Sequence, residues 1–347
     1  MRAVQFDSFD ETPYVAEVAM PHAQAGGAVI KVEATGLCRS DWHGWQGHDS
    51  DIQVLPHIPG HEFAGIVHEV GSGVTQIAVG DRVTVPFVCG CGVCELCASG
   101  NAQVCASQWQ PGFNGPGSYA EYVAIPNADF NAVRVPDGVS LSVAASLGCR
   151  FATSYRGVVD VARVSTGENV AVFGCGGVGL AAIMIAVSRG ARVIAVDINN
   201  DALRIASELG AVACVNAADE DAVARIRGLV PNGVDVSVDA LGSIATASAA
   251  VECLRIQGRH LQIGLLPPAV IQERATVPMH RVIGRELQVL GSHGMSAMHY
   301  SRMLDDIDAG LLAPERLIVR EIRLDDAPGA LAAMSAGTEP GVTIIRP

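Results

Sequence analysis

Four cysteines fall within fifteen residues of this chain, in the order Cys91-x2-Cys94-x2-Cys97-x7-Cys105. Thiolates this close cannot all pair as disulfides without severe strain, but they can fold around one tetrahedral metal ion with sulfur at about 2.3 Å. Every position is a thiol, so no coordination place is left for a substrate. The segment reads as a structural zinc lobe. Cys89 lies just before it and could contest the fourth place, but the 3-3-8 offsets favour Cys91. A second set of ligand-type residues stands elsewhere: Cys38, the His61-Glu62 pair and Cys149. One closed set and one open set point to two zinc sites, of which only the open one can do chemistry. Taken singly, Cys38 or Cys149 reads equally well as a small apolar core residue.

A third chemical signature is the stretch VAVFGCGGVGL, which places Gly174-x-Gly176-x-x-Gly179 after a strand-like run. Gly177 and Val178 open the helical pattern that follows. The glycines serve a tight turn, close approach of a pyrophosphate and helix-on-strand packing. The helix N-terminus adds backbone N–H groups and a positive dipole end. Asp197 closes the next strand-like run. Its carboxylate suits the two adenosine ribose hydroxyls and would repel a 2′-phosphate, while Ile198 and Asn199 supply no cation. NAD is therefore expected over NADP. The competing reading of Asp197 is a helix cap or a surface acid.

These groups must be positioned by a chain of 347 residues, long enough for two domains. Hydrophobic residues make up 49% and charged ones 17%, which excludes a disordered chain. The formal net charge of -13 argues against nucleic acid and against anionic membranes. No signal-peptide pattern opens the sequence, and the longest apolar stretch, near Gly176 to Val187, is too short to span a bilayer. Ten cysteines without a secretion signal point to a reducing cytosol. Cys175, Cys214 and Cys253 read as core residues.

The first 150 residues read as β-rich, with strand-like runs at 28–36, 63–71 and 81–88 broken by Gly and Pro turns. From about Glu168 strands and helices alternate. The strand-like runs are NVAVFG, RVIAVD, ACVNA, VDVSVDA, RHLQIG and LQVLGS; helical patterns include DALRIASELG, EDAVARIRGL and IATASAAVECLRI. That alternation predicts an α/β fold with a parallel, doubly wound Rossmann sheet. Beyond Ser292 one clear helix (299–308) and two strand-like ends remain, too little for a domain. They are expected to return to the N-terminal one, giving segments 1–150, 151–292 and 293–347.

Read together, GLCRSDWH (36–43), GHEFAG (60–65), the cysteine lobe, Cys149 and GCGGVG resemble the zinc-dependent medium-chain alcohol dehydrogenases over the whole chain. The resemblance implies a GroES-like catalytic domain interrupted by a Rossmann domain, with the active site in the cleft between them. It implies oxidation of alcohols, or reduction of the carbonyls, with a nicotinamide cofactor. Carried over by position, Cys38, His61 and Cys149 become the catalytic zinc ligands. Two thiolates and a neutral imidazole leave the fourth place for water or an alcohol. Glu62 looks like the family's acidic neighbour, an outer group or transient ligand, and Asp41 like the carboxylate that orients the ligand imidazole. Ser40 would take the hydroxyl proton and His43 release it to solvent. Thr153 resembles a residue near the nicotinamide. The family also implies a homodimer or homotetramer acting on a small-molecule alcohol or carbonyl.

Two departures stand out. Arg150 follows Cys149 where many relatives have a small residue, and GVTIIRP, whose one basic residue is Arg346 next to the last position, lacks one where relatives often place a phosphate-contacting Arg or Lys. Trp42, Trp45 and Phe87 are candidate pocket walls favouring short- to medium-chain or aromatic primary alcohols, although either tryptophan could be core packing. The alternatives are a polyol or amino-alcohol dehydrogenase of the same fold and a zinc-stabilised nucleotide sensor without turnover.

Overall fold

A computed structural model describes residues 1–266, 277–337 and 339–347. The chain opens on an antiparallel pair, β1 (Arg2–Gln5) and β2 (Tyr14–Glu17). It continues through β3 (Ala28–Leu37), the short helix α1 (Arg39–Trp45), β4 (Phe63–Val70), β5 (Arg82–Val85), β6 (Tyr122–Ile125) and β7 (Val133–Arg134). Six strands follow: β8 (Asn169–Phe173), β9 (Arg192–Asp197), β10 (Ala213–Asn216), β11 (Val234–Asp239), β12 (Leu254–Gln262) and β13 (Gln288–Gly291). Between them lie α2 (Gly177–Ser188), α3 (Asn200–Glu208), α4 (Ala222–Leu229), α5 (Ile244–Glu252) and α6 (Met279–Arg285). The chain closes on α7 (Tyr300–Asp308), β14 (Ile318–Arg323), α8 (Ala327–Ala333) and β15 (Val342–Arg346). It divides into two compact units, Met1–Ala152 with Gly294–Pro347, and Thr153–His293.

The first unit is built on a seven-stranded sheet of order β14-β15-β3-β4-β5-β7, with β6 also paired to β3. Strand β15 runs antiparallel to β3, with Ile344 opposite Gly36. Alternating residues of these strands, among them Ile30, Val32, Phe63, Val67 and Val83, form one buried core. Each such side chain contributes roughly 1.5–3 kcal/mol on burial. The β3–β4 register matters most for function: Thr35 stands opposite Phe63, and the N–H of Gly36 donates to the carbonyl of Glu62 at 2.7 Å. That pairing brings the end of β3, and so Cys38, beside His61.

The second unit is a six-stranded, wholly parallel sheet of order β10-β9-β8-β11-β12-β13. Central strands such as β8 and β11 are buried nearly throughout, as parallel strands covered on both faces must be. Helix α2 is apolar on every side and buried from Gly179 to Ala186.

Three expectations need correction. The helical pattern IATASAAVECLRI does not run to its end; α5 stops at Glu252 and β12 starts at Leu254, because Leu254 pairs with Val234. The C-terminal segment holds a second helix, α8, whose Leu331 is fully buried. Cys214 is exposed rather than core, since β10 is an edge strand and the neighbouring Val215 is the inward residue. Among the described residues no helix is long and apolar enough to cross a membrane.

Candidate metal centres and nucleotide turn

The four lobe cysteines gather as the spacing predicts. Cys91 Sγ lies 3.9 Å from Cys97 Sγ, and Cys94 Sγ lies 3.7 Å from Cys105 Sγ. Four sulfurs at about 2.3 Å from one ion stand about 3.8 Å apart in a tetrahedron, so the donor set fits zinc and is far too long for disulfides. The N–H of Cys97 donates to Cys94 Sγ at 3.4 Å, and N–H groups of Val93 and Cys94 stabilise the Cys91 thiolate, lowering its pKa to about 6. Cys97 is pushed up to about 12, first by burial. Cys89 takes no part. It is fully buried among Ile30, Val67 and Val123, and burial raises its thiol far above the ordinary range.

Cys38, His61 and Cys149 come together in the first unit, their ligand atoms all within 4.8 Å of one another. Cys38 caps α1 at the end of β3, His61 precedes β4, and Cys149 sits in a wide helical turn over Leu147–Phe151. His61 is wholly buried; its Nδ1 donates to Asp41 Oδ1 at 2.8 Å, while Nε2 has no hydrogen-bond partner. A buried, unpartnered imidazole nitrogen facing two thiols is a donor waiting for a cation. Asp41 is itself fixed by Gly60 N–H at 3.0 Å, Cys38 N–H at 3.1 Å and Tyr119 O–H at 2.7 Å.

Protons in this cluster are unevenly held. A hydrogen bond from Cys149 keeps the Cys38 thiol well below its usual range, against burial, whereas Cys149 is raised well above it. Burial opposes a charged His61 ring, but Asp41 and Cys38 outweigh it and hold the imidazole well above its ordinary value. Metal binding displaces such protons.

Glu62 is fully buried, and its carboxylate accepts from both backbone and side chain of Arg150. Burial raises its pKa although Arg150 opposes the shift. Ser40 and His43 lie on α1, both partly buried. His43 Nδ1 stands 3.1 Å from Nδ1 of the exposed His48, a neighbour the sequence reading passed over. Burial, then Arg39 and His48, hold His43 below the ordinary imidazole value. The Arg39 guanidinium lies over the Trp42 ring, 3.7 Å from its centroid, and the His43 ring meets the indole edge-on with centroids 4.9 Å apart.

Trp45 fits the core-packing alternative: it is buried among Phe6, Leu37 and Ile52, and its ring N–H donates to the Glu11 carbonyl. Phe87 is buried with its ring 6.0 Å from that of His61, and Phe113 stands closer, at 5.2 Å. Phe113 and Tyr119 carry no local signal that could have singled them out.

In the second unit the glycine turn follows β8 directly. Gly174 has φ of 92°, the left-handed region, and a Cβ at Gly179 would meet the Gly174 carbonyl oxygen at 1.7 Å. A Cβ at Gly176 would meet nothing within 4 Å, so open space lies at the head of α2, where Gly177 and Val178 begin the helix. Both oxygens of Asp197 accept backbone N–H groups, from Cys175 at 2.6 Å and Asn199 at 2.9 Å. The helix cap is Asn199, not Asp197. Thr153 is buried, and its carbonyl accepts from Ser292.

Comparison with known proteins decides the family. Residues 24–137 match the alcohol dehydrogenase GroES-like domain, and residues 177–309 the zinc-binding dehydrogenase family. An alcohol dehydrogenase of Geobacillus stearothermophilus is 31% identical over 347 residues, covering 100% of this chain and 99% of the relative. A second from the same organism is 34% identical over 293 residues, 84% of each chain. This chain belongs to the zinc-binding medium-chain alcohol dehydrogenases. The structure of the alcohol dehydrogenase from Thermus sp. ATN1 superposes on the enzyme with a TM-score of 0.90 at 30% identity, covering 100% of this chain and 99% of the other. A putative zinc-binding dehydrogenase from Sinorhizobium meliloti, bound to NADP, gives 0.90 at 31% identity over the same shares. The enzyme therefore carries zinc-dependent alcohol dehydrogenase activity, with a GroES-like unit, a Rossmann-type unit and the family's Cys-His-Cys and four-cysteine sites.

Proposed function

We propose that the enzyme oxidises short- to medium-chain or aromatic primary alcohols using NAD. The observation that carries this reading is the Cys38–His61–Cys149 cluster, with three ligand atoms within 4.8 Å and the buried Nε2 of His61 unpartnered. These residues would hold the catalytic zinc, and Cys91, Cys94, Cys97 and Cys105 the structural one. When bound, zinc would supply Lewis-acid polarisation that brings an alcohol's pKa toward neutrality, and NAD an acceptor for hydride.

Asp41, by accepting the Nδ1 proton of His61, fixes the tautomer whose Nε2 lone pair faces the thiols. Ser40 takes the hydroxyl proton, and His43, on the same helix, is the group that releases it to solvent. Its lowered pKa keeps the ring neutral, and so able to accept, at neutral pH. His48 at 3.1 Å offers a second imidazole at the outlet. Phe87 and Phe113, the aromatic rings against His61, are the walls that favour an apolar substrate. Trp42 remains a candidate for the rim.

Gly174, Gly176, Gly177, Val178 and Gly179 would cradle the pyrophosphate, and Thr153 would lie near the nicotinamide. The Sinorhizobium relative carries NADP, so the choice of NAD rests on Asp197, whose remaining lone pairs suit ribose hydroxyls and whose charge repels a 2′-phosphate. A homodimer or homotetramer is the expected assembly.

The test is NADH and NADPH formation across a panel of simple, secondary, aromatic, polyol and amino alcohols. Primary alcohols with NAD should lead. Preference for sorbitol or threonine over every simple alcohol would refute the pocket, and equal use of both cofactors would refute the role of Asp197. Asp197→Ala should weaken NAD binding by roughly ten- to a hundredfold, the worth of charged hydrogen bonds of about 1.5–3 kcal/mol.

A further inference from the structure

The ion pair of Arg150 with Glu62 lies between two ligands, and the reaction described above gives it no task. Glu62 follows His61 directly. Its Oε1 accepts from the backbone N–H of Cys149 at 3.2 Å, the backbone N–H of Arg150 at 3.0 Å and Arg150 Nε at 3.2 Å. Its Oε2 accepts from Arg150 Nη2. A carboxylate has about four lone-pair directions, so this one is close to fully occupied. The side chain of Glu62 is 0% exposed and that of Arg150 only 10%. Room for the pair comes from Gly36, where a Cβ would stand 2.6 Å from Glu62 Oε2 and 3.1 Å from Arg150 Nη2.

We propose that Arg150 is a positioning residue that clamps Glu62 outside the coordination sphere of the Cys38–His61–Cys149 metal, so that the fourth place stays open for water or substrate. The proposal rests on the metal-site reading above. To reach the metal, Glu62 would have to leave a two-point, charge-assisted contact and two backbone donors. It would also strand a buried guanidinium without its counter-charge. The contact also ties ligand to clamp, because the same carboxylate oxygen holds the N–H of Cys149. With Arg150 gone, an unpaired buried carboxylate one residue from His61 has a cation as its best remaining partner, and it would add to the three protein ligands and the solvent molecule, crowding the open place in a five-coordinate site.

The coordination number can be read directly by replacing zinc with cobalt(II), whose visible d–d bands are strong in four-coordinate tetrahedral sites and weak at higher coordination. The four-cysteine lobe supplies a constant background. The parent should bind two equivalents of cobalt with four-coordinate spectra, and Glu62→Gln should leave them unchanged. Arg150→Ala should lose most of the open site's share of the bands, and the double variant Arg150→Ala/Glu62→Gln should regain it. A destabilised fold alone would not produce that recovery. If Arg150→Ala does not fold, the parent and Glu62→Gln spectra still decide. A five-coordinate parent that becomes four-coordinate in Glu62→Gln overturns the clamp, as do undiminished bands in folded Arg150→Ala. Uptake of one equivalent, by the lobe only, would instead overturn the metal-site reading and the clamp with it.

Discussion

The two metal centres of the first unit are built from the same elements of chemistry on opposite plans. The lobe draws all its ligands from Cys91 to Cys105, a local loop whose sulfurs meet with little help beyond backbone N–H groups and the packing of Ala102 and Phe130. The open centre takes Cys38, His61 and Cys149 from three separate segments, and surrounds them with buried polar partners: Asp41, Tyr119, Glu62 and Arg150. A site closed by four thiolates needs only its loop. One that keeps a place vacant must hold three ligands rigidly without the fourth, so it depends on the sheet register and on an outer shell of hydrogen bonds.

The sharpest way to break this comparison is to remove one ligand from each centre. Cys94→Ser should lower the melting temperature severely while any folded fraction keeps turning over, because the metal-binding free energy of small zinc modules, on the order of 10 kcal/mol, supports the fold directly. His61→Ala should abolish turnover and cut zinc from two equivalents to one, with a smaller loss of stability. Metal analysis and thermal unfolding on both variants check this. A stable but inactive Cys94→Ser protein would reverse the assignment of the two centres.

A smaller effect separates the outer shells. Asp41→Asn leaves every ligand in place but weakens the acceptor of the His61 proton and disturbs the bonds from Tyr119 and Gly60. Zinc at the open centre should bind about ten- to a hundredfold more weakly, with the lobe unaffected. Competition against a graded chelator measures both; equal weakening at the two centres would mean that Asp41 serves the fold rather than the site.

The smallest effect concerns proton release, which only the open centre requires. Because burial holds His43 below the ordinary imidazole value, it stays neutral and able to accept as pH falls past about 6.5. The acidic limb of kcat/KM should therefore lie below that pH. His43→Gln should remove the limb and cost no more than about a hundredfold, the low end for acid–base groups, since solvent can replace a terminal acceptor. A limb above 6.5, or one that survives in His43→Gln, would place the proton exit elsewhere.

Much of this enzyme was legible before any coordinates. The lobe spacing, the glycine turn with Asp197 and the six strand-like runs each depend on residues close in sequence, where ligand reach, turn geometry and side-chain period act locally. Cys38, His61 and Cys149 could be named together only through the resemblance, because nothing in their spacing states that β3 and β4 pair with Thr35 opposite Phe63. What the tertiary structure alone decided are the matters of facing and company. It put Trp45 in the core and Phe113 against His61, exposed Cys214 on an edge strand, ended α5 where β12 claimed Leu254, and joined Arg150 to Glu62 across Gly36. Such outcomes turn on which surfaces of distant segments are pressed together, and a residue's type and local spacing carry no record of that.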